Sequence, residues 1–255
     1  MAPTTMVIAA TGAIATDTTT TGRGTHRGTG RMTPTAIADA PPAPAGDDAL
    51  LRLSQWLSPG FPLGAYAYSG GLETAVARGV VHDADGLHVW ARDVLEHGSG
   101  LADAAILCAV LRGRDGAKMA ELAAALAPSA ERWRETADQG RALAETLRAM
   151  GEADLAPGPL PVVLGLAARP LGLPPERVAA LFLQAVAASL VSAGVRLVPL
   201  GQSAGQGVVS ALRPLALGVA RWAAAMEPEE AATAALGADL ASMAHEALPV
   251  RIFRS

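Results

Sequence analysis

Apolar residues recur at helical spacing from Asp48 almost to the C-terminus, punctuated by glycine and proline. Leu50, Leu51, Leu53, Trp56 and Leu57 form the first stripe, after Asp47 and Asp48. The stretch Ser58 to Glu73, S-P-G-F-P-L-G-A-Y-A-Y-S-G-G-L-E, ends it with two prolines and a turn at Gly64. Ser69 is the expected cap of a second helix, Leu72 to Arg78, which Gly79 stops. Asp83 or Asp85 caps a third, burying Leu87, Trp90, Val94 and Leu95, and Gly98 and Gly100 separate it from a fourth, Leu101 to Leu111. A short helix, Ala117 to Ala127, ends at Pro128. Ser129 caps a longer one to Met150, with Trp133, Ala137, Leu143 and Leu147 inward and Glu131, Arg134, Glu135, Asp138 and Arg141 on the wet side.

Gly151 to Pro161 reads as a proline-rich loop, after which the chain turns strongly apolar. Pro174-Pro175 opens a helix, Glu176 to Leu197, that is apolar nearly all round. Such a run is long enough for a bilayer, and an integral-membrane helix at Arg177 to Arg196 is one reading. Gln184, Ser189, Ser192 and Gly194, and more alanine than leucine, favour the centre of a helical bundle instead. Pro199-Leu200-Gly201 breaks the helix. The pattern resumes from Ser203 to Ala225, where Pro214 is expected to kink or split it. Pro228-Glu229-Glu230 opens the last helix, ending near Glu246, before the tail L-P-V-R-I-F-R-S. The expected class is all-α: one globular domain over residues 48–255, with roughly nine or ten helices around an apolar central helix. Residues 1–47, rich in Thr, Ala, Gly and Pro, read as a disordered N-terminal tail.

Composition narrows the function classes. Half of the 255 residues are hydrophobic, enough for one substantial core, and β-branched residues are scarce. A net charge of −4 gives nucleic-acid binding no electrostatic support. The single cysteine, Cys108, leaves no internal disulfide and no cysteine-based zinc site. The first residues lack a basic secretory segment, and the apolar patch Met6 to Ala10 is too short for a signal core, so the chain reads as cytoplasmic.

Catalytic motifs are weak. Gly201-Gln202-Ser203-Ala204-Gly205 matches the G-x-S-x-G nucleophile elbow, with Asp239 and His245 following in hydrolase order. An elbow needs a parallel sheet that this sequence does not supply, and residues six apart on one helix point in different directions. The serine hydrolase built on Ser203 therefore stands as the alternative. The five histidines show no i, i+4 ligand pair, and helix-end or surface positions are expected for all of them. No catalytic residue, metal ligand or nucleotide loop is expected.

More telling are polar and aromatic groups set among apolar ones. Both tyrosines, Tyr66 and Tyr68, lie in the 58–73 stretch. Either the rings plug the core, or the loop is displayed for another protein to grip. Arg196 ends the apolar helix, and Gln202 and Gln206 stand one turn apart just beyond it. They read as helix capping and core satisfaction, or as a polar junction where several elements, or another chain, meet. The C-terminal arginines around Phe253 suit docking, against ordinary fraying.

Together these segments resemble the UreF family of urease accessory proteins. P-x-x-P-[LIV]-G-x-[FY]-x-[YH]-S-x-G-L-E matches Pro59 to Glu73. Glu131 and Gly140 to Leu143 match a weaker helix motif, with Gln139 where the family often has methionine. A-G-V-R-L-V-P-L-G-Q-S-A-G-Q runs from Ala193 to Gln206, and M-x-H-E-x-x-x-x-R-[LI]-F-R-S from Met243 to Ser255. Pro249 departs from the family's usual tyrosine, and residues 1–47 have no counterpart. The resemblance implies an all-helical, dimerising, non-enzymatic chaperone that bridges a UreD/UreH-type protein and a UreG-type GTPase while nickel is delivered to apo-urease. Nickel and GTP would be handled by the complex, with no cofactor bound directly and no membrane or nucleic-acid partner. Pro62, Tyr66, Tyr68, Ser69, Glu73, Arg196, Gln202 and Gln206 would then face or gate the GTPase. His245, Glu246, Arg251, Phe253 and Arg254 would engage the UreD-type protein.

Overall fold

The computed structural model describes residues 45–254, so most of the expected N-terminal tail lies outside the described residues. Among the described residues ten α-helices follow one another: α1 (Ala45–Trp56), α2 (Leu72–Ala77), α3 (Ala84–His97), α4 (Ser99–Leu111), α5 (Gly116–Leu126), α6 (Ala130–Ala149), α7 (Leu160–Ala168), α8 (Pro175–Leu197), α9 (Gln202–Ala225) and α10 (Leu236–His245). Among the described residues there is no strand, and the fold is all-α.

Local chemistry sets the boundaries. Asp83, Asp115 and Ser129 cap α3, α5 and α6 by accepting the amides of Gly86, Lys118 and Arg132. Gly98 and Gly100 make the tight passage from α3 to α4, since a Cβ on Gly100 would lie 2.8 Å from Leu95 Cα. Buried from Gly100 to Val110, α4 packs on α3, α5, α7, α8 and α9. Beside it, α8 packs on α9, α3, α4 and α2. The apolar centre is shared by these two helices. Among the described residues three helical stretches, Ala84–Leu111, α8 and α9, are long and apolar enough to cross a membrane by length and composition.

Four expectations change. The segment from Leu160 is a helix, α7, with Pro161 tolerated in its first turn. The last helix starts at Leu236, because after the short turn Pro228–Glu230 the Ala234 amide bonds the His97 carbonyl and holds the chain against the end of α3. Pro214 does not split α9. Pro214 and Ser210 both lie on the exposed face, so the carbonyl that proline leaves without a helical donor is open to water. Glu131, expected on the wet side of α6, is buried under α10 and the C-terminal tail.

Candidate functional site

The 58–71 stretch is a wound loop. Phe61 is buried as its anchor, and Gly64, Gly70 and Gly71 adopt the left-handed backbone that side chains disfavour. Between them Ala65–Ala67 makes a single 3-10 turn that sends the tyrosines to opposite environments. Tyr66 is 72% exposed, whereas Tyr68 is 6% exposed and donates its hydroxyl to Asp138 at 3.0 Å. Burial, followed by the Asp138 contact, pushes the Tyr68 phenol above its ordinary value. Tyr68 thus plugs the core, while Tyr66 is displayed at the surface. Pro62 is exposed. Ser69 is buried and accepts the Glu73 amide, while Gly71 occupies the N-cap of α2. A Cβ on Gly71 would lie 2.7 Å from the Ser242 amide nitrogen, so glycine is what lets α2 approach α10.

Behind the loop, Glu73 and Glu131 clasp His245. The imidazole is fully buried, with Nε2 at 3.0 Å from Glu73 and Nδ1 at 2.8 Å from Glu131. The ring stands at a helix end, as expected, but as a core group and not a surface one. Both contacts are hydrogen bonds to ionised carboxylates only when the ring carries two protons. The same carboxylates hold the tail. Glu73 accepts the Ile252 and Phe253 amides at 2.7 and 3.0 Å, and Glu131 accepts Arg251 at 2.8 Å. Burial pushes the Glu73 carboxyl up, but the bonds from His245 and the two amides outweigh it and hold the group below its ordinary value.

Arg196 connects tail and loop. Its guanidinium donates to the Tyr66 carbonyl at 2.9 Å and lies over the Phe253 ring, 4.5 Å from the centroid. The Arg254 amide adds a bond to the Ala67 carbonyl at 2.7 Å. Phe253 is buried, Glu246 is exposed, and Gln202 and Gln206 lie exposed in the first turns of α9. A cavity of about 210 Å³ opens beside the loop, walled by Phe61, Leu63, Val186 and Leu190, with the Asp103–Arg132 ion pair on its polar side.

Residues proposed for two different partners, the loop with Arg196 and the tail with His245, are therefore in contact. Gln202, Gln206 and Glu246 stand outside that cluster. Two of its members, Glu131 and the Tyr66 carbonyl, were missed. Glu131 carries no local signal, because its burial comes from a segment more than a hundred residues away. The hydrolase alternative fails. Ser203 sits exposed in the first turn of α9 with no strand before it, and both ring nitrogens of His245 are committed to glutamates.

A family model described as UreF matches residues 81–213. The Cereibacter sphaeroides protein named urease accessory protein UreF is 54% identical over 207 residues, covering 81% of this chain and 99% of the relative. Proteins of the same name from Jannaschia sp. and Paracoccus denitrificans are 50% and 45% identical, each over 81% of this chain and 94% and 96% of their own length. The chain belongs to the UreF family.

Proposed function

We propose that this chain is a non-catalytic scaffold in urease maturation, bridging a UreD/UreH-type protein and a UreG-type GTPase during GTP-dependent nickel insertion into apo-urease. Its relatives carry the name urease accessory protein. The exposed Tyr66 loop, with Pro62, Arg196, Gln202 and Gln206, faces the GTPase. The tail, Arg251 to Arg254 with Glu246, engages the UreD-type protein. Nickel and GTP are carried by the assembly, which works in the cytoplasm around a homodimer of this chain.

One observation carries this reading: Arg196 bonds the Tyr66 carbonyl and covers Phe253 at once. Through it, a partner seated on the tail changes the footing of the loop offered to the other partner. Tyr68, Ser69, Glu73 and His245 support the surfaces from within. The test is co-expression with both partner types, affinity capture and sizing. A complex holding two copies of each chain supports the scaffold. A lone chain with neither partner retained overturns it.

A further inference from the structure

The outward face of α9 continues beyond Gln202 and Gln206. Ser210, Arg213, Leu217 and Arg221 follow Gln206 at spacings of four, three, four and four residues, which places them along one strip of the helix. All four are exposed. Leu217 is 49% exposed, and it lies between the two arginines. The 24 residues of α9 include no aspartate or glutamate, and neither Arg213 nor Arg221 meets a carboxylate among the described residues. In a chain of net charge −4, this helix thus presents two unpaired guanidinium groups around an apolar centre. Arginine is among the side chains that most often anchor protein interfaces.

We infer that this strip is a docking surface for an acidic, apolar-centred protein surface, and that it extends the footprint of the GTPase partner along α9. The inference rests on the proposed function, since Gln202 and Gln206 share the strip. Charge selects the occupant. In a two-fold contact between two copies centred on Leu217, Arg213 meets either Arg213 or Arg221 of the other copy, and like charges face each other in both cases. An anionic membrane gains only about 1 kcal/mol from each basic residue at its surface, too little from two arginines for stable attachment. A carboxylate-bearing protein surface satisfies both guanidinium groups while covering Leu217.

The test measures binding of the purified full chain to the purified UreG-type GTPase, alone and with the UreD-type protein present, at low and moderate salt. The Arg213→Glu/Arg221→Glu variant is expected to bind the GTPase at least about tenfold more weakly, with a shallower salt dependence. Leu217→Ala, which keeps the charge, is expected to weaken binding without changing that dependence. Both substitutions are on the surface, and an unchanged melting curve confirms the fold. Unchanged GTPase affinity in both variants, with the wild type binding, overturns the strip and leaves the scaffold reading intact. Wild-type chain that binds neither protein overturns both. Loss of self-association, or of sedimentation with phosphatidylglycerol vesicles, in place of loss of GTPase binding also overturns the inference.

Discussion

Glu73 and His245, 172 residues apart in sequence, share a hydrogen bond of 3.0 Å inside the protein. Glu73 lies on α2, directly after the tyrosine loop, and His245 ends α10, directly before the tail. This bond, closed on the other side by Glu131, fixes the two surface segments to one internal support.

The pair of tyrosines separates docking from folding. Tyr66→Ala should leave the melting temperature within the range of a surface change, roughly ±0.5 kcal/mol, and reduce GTPase capture. Tyr68→Ala removes a buried ring and its bond to Asp138 and should cost about 3–5 kcal/mol. Thermal melts with parallel capture assays check both. A Tyr66→Ala protein that melts as low as Tyr68→Ala would make Tyr66 a core residue.

His245 should be intolerant of truncation. His245→Ala leaves two buried carboxylates without their shared hydrogen-bond partner, and an unsatisfied buried polar group costs about 1–3 kcal/mol, more when charged. The accompanying change is release of the tail, read as faster amide exchange at Ile252 and Phe253. A variant with native stability and protected tail amides would contradict this arrangement.

Glu73 gives stability an acid limb. Its folded pKa lies below the ordinary value of 4.5, so its contribution is complete above that value and disappears as pH falls through the lower folded one. Denaturant titrations from pH 6 downward should therefore show a loss of stability below about pH 4.5 that is smaller in Glu73→Gln. Equal slopes in the two proteins would remove Glu73 from the account.

Gly140 tests the packing of α6. A Cβ there would lie 2.0 Å from the Gly158 carbonyl oxygen and 2.7 Å from the Leu160 amide nitrogen. Both are backbone atoms with little room to move, so Gly140→Ala should cost several kcal/mol despite alanine's better helix propensity, by about 1 kcal/mol. Equilibrium unfolding measures it.

The fold was largely legible because its helices obey local rules. Asp83 and Ser129 cap where their side chains predict, and Gly98 breaks the chain where no Cβ fits. Errors arose where distant segments override local pattern. Residues 231–235 continue a helical composition but are tied to His97, and Glu131 is polar on a wet face until the tail covers it. The candidate site was legible as a set of residues but not as an arrangement. Tyr66, Arg196 and Phe253 stood out separately, and nothing local told that one guanidinium would join them.

The most direct test of the coupled loop and tail is capture of the two partners by a chain ending at Ala247, beside Arg196→Ala and the full chain. The account predicts that the truncated chain loses the UreD-type protein and that its retention of the GTPase falls as well, because the tail that steadies the Tyr66 loop is gone. Arg196→Ala should keep the UreD-type protein and lose GTPase retention or its coupling to urease activation. Full GTPase capture and normal activation in both variants would contradict the central claim.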